Sequence, residues 1–346
     1  GGRGRFLQRI HPDGGSFRGL YLMPLGTAFG STATFGVLSW LGGAVLVSTQ
    51  FDAGAAIRAI GSLHPTHIFG VPTMFQRMAA EPELAHTDTS SLIAIISGGA
   101  KIDEASIRRC TEAFRSGFIG LYGSADGVNC HKMLDDNLDT ILRKTGRPNP
   151  DVCAIRIVDD QKREVAQGHI GEITARGPIT PMQYVNNPEL DARYRDEDGW
   201  VYTGDLGFID EDGYLILTGR KKEIIIRGGV NISPAQIENI AASHPAVVSA
   251  VCVPVADQDL GQRICLCLVM RDGAERPSLA QFTRFLLDHG LEKNKLPEYL
   301  RYMRQLPLGP AGKVDKKRLT AELENARFTP GPAVADKVAS LMRGAY

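Results

Sequence analysis

The stretch Asp198-Gly-Trp-Val-Tyr-Thr-Gly-Asp205-Leu-Gly-Phe-Ile-Asp-Glu-Asp-Gly-Tyr-Leu-Ile-Leu-Thr-Gly-Arg220-Lys-Lys-Glu-Ile-Ile-Ile-Arg-Gly-Gly229-Val-Asn-Ile-Ser-Pro-Ala-Gln-Ile-Glu238 decides how the chain is read. Phe208-Ile209 and Tyr214 to Leu217 are apolar arms joined by Asp210-Glu211-Asp212-Gly213, a sequence with hairpin turn chemistry. A hairpin brings its ends together, so Asp205 before it and Arg220 after it are expected to be neighbours. Taken alone, such a pair reads equally as an exposed ion pair of little energetic weight. Past Arg220 the pattern changes to a compact α+β unit: a strand at Glu223–Ile226, then Ser233, Pro234 and Gln236 as N-cap, first-turn proline and capping-box partner. That helix carries Ile237, Ile240 and Ala241 on one face. Strands follow at Val247–Val255 and Arg263–Met270, and Ser278 with Gln281 opens a further helix through Leu287.

The unit closes on Leu306-Pro-Leu-Gly-Pro-Ala-Gly-Lys313, a Gly- and Pro-rich run suited to an extended loop, and Lys316 and Lys317 read as solvated lysines. Residues 146–218, which include the hairpin, read as all-β. Further back, strands alternate with helices: strand Gly43–Val47, helix Ala53–Leu63, strand Thr66–Gly70 with its turn, a helix from Thr73, strand Leu92–Ser97, helix Asp103–Phe114 and strand Gly117–Tyr122. Alternation of this kind predicts an α/β sheet covered by helices. Leu20–Leu25 begins a buried strand, the Gly30–Gly36 run reads as a helix start, and His67 as a core histidine. Ser97-Gly98-Gly99-Ala100 and Tyr122-Gly123-Ser124-Ala125-Asp126 stand at the ends of two strands, where open α/β sheets bind ligands.

Of 346 residues, 43% are hydrophobic and 23% charged, and 39 basic residues balance 39 acidic ones, so nothing in the charge favours nucleic acid or an anionic membrane. The chain has no apolar run of about 18 residues, the length that spans a bilayer. Six scattered cysteines without C-x-x-C spacing, and no signal-peptide core, predict a reducing cytoplasm. Cys265 and Cys267 share one face of a strand and read as small buried residues.

Together these motifs resemble the adenylate-forming superfamily of acyl-CoA synthetases, luciferases and peptide-synthetase adenylation domains, from about Leu20 to Leu319. The resemblance implies that Asp205 holds the ATP ribose hydroxyls, that Arg220 contacts the nucleotide and that Lys222 is the hinge of a mobile C-terminal domain. It makes Gly99 and Ala100 part of the adenine-binding glycine turn. Tyr122, Gly123, Ser124, Ala125 and Asp126 match the Tyr-Gly-x-Thr-Glu motif, with Ala125 in place of threonine and Asp126 in place of the glutamate that binds magnesium. Aspartate remains a competent hard-cation ligand. Lys313 matches the adenylation lysine, and the paired Gly228 and Gly229 leave room for a narrow pantetheine arm in the coenzyme A channel. The small residues Gly98, Gly99 and Gly120, with Val71, suggest an apolar acyl pocket whose wall would include Thr27. Gly26 and Thr27 stand where the family has an aromatic residue and a histidine. The sequence Ala125-Asp126-Gly127-Val128-Asn129 is similar to aryl-acid-activating members such as dihydroxybenzoate-AMP ligases.

The family's Ser/Thr/Gly-rich phosphate loop is expected upstream of Leu20 and does not occur there, so the N-terminal subdomain is expected to be missing. The implied fold is a truncated α/β adenylate-forming domain (1–145) with a β-rich subdomain (146–218), a small α+β domain (219–320) and a tail (321–346). The implied activity is ATP-dependent ligation of a carboxylic acid to coenzyme A through an acyl-adenylate, with ATP, Mg2+ and coenzyme A as cofactors. The alternatives are a ligase that loads an aryl or acyl adenylate onto a carrier protein, and a non-catalytic fragment.

Overall fold

The computed structural model describes residues 9–11, 15–30, 42–48, 50–100, 102, 104–150, 152–309 and 314–325. The chain divides into two compact units between Leu217 and Thr218.

The first unit is built on a seven-stranded sheet. Its strands are β1 (Arg18–Tyr21), β2 (Ala44–Val47), β3 (His67–Gly70), β4 (Ala94–Gly98), β5 (Gly117–Gly123), β6 (Asn129–His131) and β7 (Arg147–Pro148), in the order β2-β1-β3-β4-β5-β6-β7. The first five run parallel and the last two antiparallel. Parallel strands need crossovers, and helices α1 (Ala53–Leu63), α2 (Pro72–Ala80) and α3 (Glu104–Phe114) supply them. Asp52 starts α1 by accepting a hydrogen bond from the Ala55 amide (2.7 Å), and His64 ends it in the left-handed region with its amide on the Ile60 carbonyl.

Side chains of one strand alternate between the two faces. Ile68, Ile95 and Phe118 pack with Ile57, Phe75 and Phe114 of the helices, while Phe69, Ile96 and Ile119 pack with Tyr21 on the other face. Each such buried side chain contributes about 1.5–3 kcal/mol. His67 is a core histidine, as read: it is fully buried, its ring bonds the Ile10 carbonyl (2.7 Å) and Thr66 Oγ1 (3.0 Å), and burial pulls its pKa down to about 4. Apart from Gly30, the Gly30–Gly36 run lies outside the described residues.

A second, four-stranded sheet has the order β11-β10-β9-β8, from β8 (Ala154–Val158), β9 (Gly171–Arg176), β10 (Val201–Ile209) and β11 (Leu215–Arg220). The β10–β11 turn is the expected one, closed by Asp210 N to Tyr214 O (2.9 Å) and Gly213 N to Asp210 O (3.0 Å). The all-β reading of 146–218 requires correction. Pro188–Tyr194 is a helix (α5, after the short α4 at Leu138–Arg143), capped by the Asn187 side chain on the Leu190 amide, with Pro188 at its start. Seven residues with no buried side chain carry too little apolar periodicity to announce a helix.

The second unit is a five-stranded sheet with flanking helices. It comprises β12 (Ile225–Arg227), β13 (Val230–Ile232), α6 (Pro234–Ala242), β14 (Val247–Asp257), β15 (Gly261–Met270), α7 (Leu279–Asp288), β16 (Tyr299–Met303) and α8 (Lys316–Asn325). Cores form on both faces: Ile225, Ile237, Leu266 and Phe282 on one, Val253, Cys265, Cys267 and Leu319 on the other. The two cysteines are fully buried with sulfurs 3.9 Å apart, as small apolar residues.

Several local expectations change. Ser278 and Gln281 form the reciprocal capping box. Ser233 and Gln236 do not: Ser233 Oγ donates to the Thr218 carbonyl (2.5 Å) and Gln236 Oε1 accepts from Lys295 (3.0 Å), so tertiary partners displace the local ones. The strand expected at Glu223–Ile226 begins at Ile225, after a 3-10 turn at Lys221–Glu223. Helix α8 runs to Asn325 and buries Leu323, so ordered structure continues past residue 320. Lys316 is not a solvated lysine: its ammonium lies 2.6 Å from Glu223 Oε2 and 3.0 Å from Glu238 Oε1.

Candidate active site

Parallel strands β4 and β5 end side by side, with Gly98 paired to Leu121. Beyond β4, Gly99 and Ala100 are exposed, and a Cβ at Gly99 would lie 3.6 Å from Val71 Cγ1, so Val71 and Gly99 adjoin. A Cβ at Gly98 would meet the Phe29 ring at 3.1 Å. Thr27 does not turn its hydroxyl to a pocket: Oγ1 donates to the Pro24 carbonyl (2.9 Å) and accepts the Gly30 amide (2.9 Å), closing the turn that presents Phe29. Phe29 is therefore the side chain beside Gly98 that the sequence reading passed over. Gly120 is on the opposite face of the sheet, against the stem of buried Lys132, and shares no wall with Gly98.

Past β5 the chain makes a tight turn, with Ser124 N on the Val128 carbonyl (3.2 Å) and Gly127 N on the Ser124 carbonyl (3.2 Å). Gly127 has φ +96°, and a Cβ there would fall 2.4 Å from Thr180 Cα, so only glycine fits. This turn exposes Gly123, Ser124 and Ala125 and leaves Asp126 half-buried. Asp126 Oδ1 accepts a hydrogen bond from the Tyr184 hydroxyl (2.5 Å), while Oδ2 has no hydrogen bond among the described residues. Burial and the adjacent carboxylate push the Tyr184 phenol up to about 12, so the proton stays on tyrosine. Tyr184 carried no chemistry in the sequence; its spacing of 58 residues from Asp126 gave no local signal.

Tyr122 and Asp205, 83 residues apart, meet directly: the Tyr122 hydroxyl donates to Asp205 Oδ2 at 2.7 Å. Burial and the negative Asp205 raise the Tyr122 phenol far above its ordinary range. Asp205 is 5% exposed; its amide bonds Thr203 Oγ1 (3.1 Å), whose hydroxyl donates to the Ile173 carbonyl (2.8 Å). The Gly204 amide is held by Glu172 (3.0 Å). The carboxylate thus sits where the β10–β9 register shifts between Tyr202 and Leu206, held to β9 through Thr203 and Gly204, an arrangement suited to accepting hydrogen bonds from hydroxyls.

In the second unit Arg220 ends β11 and Lys222 lies in the exposed 3-10 turn. Gly228 and Gly229, at φ +54° and +83°, form the turn between β12 and β13. Arg227 anchors the start of that turn: it is 3% exposed, 2.6 Å from Glu298 Oε1, and donates to the Leu296 and Asn294 carbonyls. Lys313 lies outside the described residues. The chain on either side of residues 310–313 is described, with Leu308 bridged to Val314 and the Asp315 amide on the Pro307 carbonyl (2.8 Å).

Among the described residues no three His, Cys, Asp or Glu side chains group to hold a metal. A single carboxylate such as Asp126 fits magnesium in the form that arrives with nucleotide phosphates and keeps its waters. No described helix is long and apolar enough to cross a membrane.

The chain is 35% identical over 305 residues to a 2-hydroxy-7-methoxy-5-methyl-1-naphthoate–CoA ligase of Streptomyces carzinostaticus, covering 87% of this chain and 54% of that protein. It is 33% identical over 289 residues to the 2,3-dihydroxybenzoate-AMP ligase of Bacillus subtilis, covering 84% and 53%. Among solved structures it is similar to the amide bond synthetase McbA of Marinactinospora thermotolerans, with a TM-score of 0.84 at 29% identity over 92% of this chain and 66% of that one. It is also similar to the Bacillus subtilis O-succinylbenzoate coenzyme A synthetase in complex with ATP and magnesium, with a TM-score of 0.77 at 25% identity over 92% and 65%. The chain spans about half the length of the curated relatives it matches. Residues 7–185 match the family described as AMP-binding enzyme and residues 236–313 the AMP-binding enzyme C-terminal domain: the chain belongs to the adenylate-forming AMP-binding enzymes.

Proposed function

We propose that this chain is the nucleotide-binding and C-terminal portion of an ATP-dependent carboxylate–CoA ligase. One observation carries the reading: Tyr122 and Asp205, from motifs 83 residues apart, are joined by a 2.7 Å hydrogen bond. In this reading Asp205 accepts the ribose hydroxyls and Tyr122 braces it. Gly99, Ala100, Gly123, Ser124 and Ala125 offer open backbone to the base and α-phosphate, and Arg220 contacts the nucleotide. Asp126, oriented by the Tyr184 hydroxyl, would hold the magnesium that accompanies ATP.

The reaction has two steps. A carboxylate oxygen of the acid attacks the α-phosphorus, and the bond to pyrophosphate breaks. A thiol sulfur then attacks the acyl carbonyl, the acyl–phosphate bond breaks and AMP leaves. The first step brings two anions together, and at about 4 Å with an effective dielectric near 20 each such contact costs about 4 kcal/mol. Lys313 is the cation that offsets it in the transition state. Lys222 is the hinge, and Gly228 and Gly229 leave room for the pantetheine arm. Val71, Gly98 and the turn at Thr27 line the acyl side, for an aromatic or medium-chain acid. The second reading, transfer of an aryl-adenylate to a carrier protein, is favoured by Ala125-Asp126-Gly127 and the dihydroxybenzoate-AMP ligase relative.

The test is acid-dependent ATP–pyrophosphate exchange on the purified chain, with aryl and medium-chain acids and a Lys313→Ala control. Exchange that falls about 10²–10³-fold in the control, as for loss of one preorganised charge-stabilising group, supports the reading. No exchange with any acid from a folded sample counts against activity of this chain. Product analysis with coenzyme A against a holo-carrier protein then separates the two acceptors.

A further inference from the structure

Lys316 opens α8, where a lysine is out of place electrostatically, because the amino end of a helix carries partial positive charge. It is nevertheless largely withdrawn from solvent, with a side-chain exposure of 29%. Two carboxylates explain its position. Glu223 Oε2, in the 3-10 turn that contains Lys222, lies 2.6 Å from the ammonium; Glu238 Oε1, on α6, lies 3.0 Å away and also accepts the Cys252 amide of β14 at 2.8 Å. Burial pulls the ammonium pKa down, and the two carboxylates more than offset that and hold it above its ordinary value.

Three separate elements of the second unit therefore meet at one charge. One is the turn after β11. The second is α6, itself tied to the central sheet. The third is the chain entering α8, directly after the loop base formed by the Leu308–Val314 bridge and the Asp315–Pro307 hydrogen bond on either side of residues 310–313. We propose that Lys316 is a positioning residue that fastens the base of the Lys313 loop to the turn carrying Lys222. The tie makes the loop base and the turn one rigid piece, so displacement of the turn carries the loop base with it. Its consequence for catalysis rests on the roles given above to Lys313 and Lys222; the tie itself does not.

Hydrogen exchange on the whole 346-residue chain tests the tie without requiring activity. Lys316→Met should raise exchange by about tenfold, as expected for loss of a charge-assisted hydrogen bond, in the peptides over 306–309, 314–318 and 220–224. Exchange in β14, β15 and α7 should stay unchanged, and Lys316→Arg should restore protection, since a guanidinium spans both carboxylates. If Lys316→Met does not fold, Glu223→Gln cuts only the link to the turn and should loosen 220–224 and the loop base together. Unchanged exchange in both segments, a uniform rise through the unit, or loosening of one segment alone would overturn the proposal.

Where exchange of pyrophosphate is measurable, Lys316→Met should lower kcat for adenylation about tenfold with little change in the KM for ATP. Thiol transfer from preformed acyl-adenylate should be retained. Equal loss in both half-reactions contradicts a positioning role. A Lys313→Ala variant that adenylates normally would remove the reading of Lys313 and leave the exchange result standing.

Discussion

In the first unit Asp126 and Asp205 each accept a hydrogen bond from a phenol, Tyr184 at 2.5 Å and Tyr122 at 2.7 Å. In the second unit the buried or half-buried carboxylates face cations: Glu298 meets Arg227 at 2.6 Å, and Glu223 and Glu238 meet Lys316. The difference is one of remaining charge. A phenol fixes a carboxylate's rotamer and leaves its negative charge for a ribose hydroxyl or a divalent cation. An ammonium or guanidinium cancels the charge and leaves a strut. By this criterion the phenol-bonded Asp126 differs from the struts Glu298, Glu223 and Glu238, and from Asp196, which meets Arg156 at 3.1 Å in the first unit.

The sharpest contrast lies in removing one partner. Glu298→Ala strands the buried Arg227 and should destabilise the second unit by about 3–5 kcal/mol, seen as a lower denaturant midpoint in urea unfolding. Asp205→Asn, which removes charge without changing size, should leave the fold nearly intact and weaken nucleotide binding about 10–100-fold, the range for losing hydrogen bonds to a charged group. Calorimetric titration with a nucleotide checks it. A smaller effect is expected for Tyr122→Phe, which removes the brace and keeps the acceptor. Thermal unfolding should show a loss of about 1.5 kcal/mol and the nucleotide titration a weaker Kd. If Asp205→Asn instead destabilised the fold as strongly as Glu298→Ala, the distinction between acceptor and strut would collapse.

The smallest effect concerns pH. The Tyr184 phenol is held at about 12 by burial and Asp126, against about 10 in an unfolded chain. A raised pKa contributes stability that is whole below about 10 and is lost as pH climbs towards about 12. Tyr184→Phe should therefore lose slightly less stability than the parent between about pH 9.5 and 11, by no more than about 1 kcal/mol given the solvent screening of this surface pair. Parallel alkaline denaturation curves of the two proteins measure it.

Most of the architecture was legible because it rests on local signals. Helix Ala53–Leu63 follows its Asp52 cap, Ser278 and Gln281 announce their own capping box, and alternating apolar runs mark β14 and β15. The hairpin at Asp210–Gly213 is turn chemistry alone. What escaped depends on tertiary partners. Ser233 has the right neighbours for a capping box and bonds Thr218 instead. Lys316 looks solvated until Glu223 and Glu238 come to it from 93 and 78 residues away. Thr27 sits in a family pocket position while its hydroxyl closes its own turn. The motifs named Tyr122, Asp126 and Asp205; no spacing rule could have paired Asp126 with Tyr184 or set Gly98 and Gly120 on opposite faces.

The central claim is that Tyr122 and Asp205 form the floor of a nucleotide site. Calorimetric titration of the purified chain with a non-hydrolysable acyl-sulfamoyl adenosine tests it most directly, because binding does not require turnover. The account predicts saturable binding by the parent chain and at least a tenfold weaker Kd, about 1.4 kcal/mol, for Asp205→Asn in a sample that unfolds at the parent temperature. Equal affinity in parent and variant, or no binding by a folded parent chain, would contradict it.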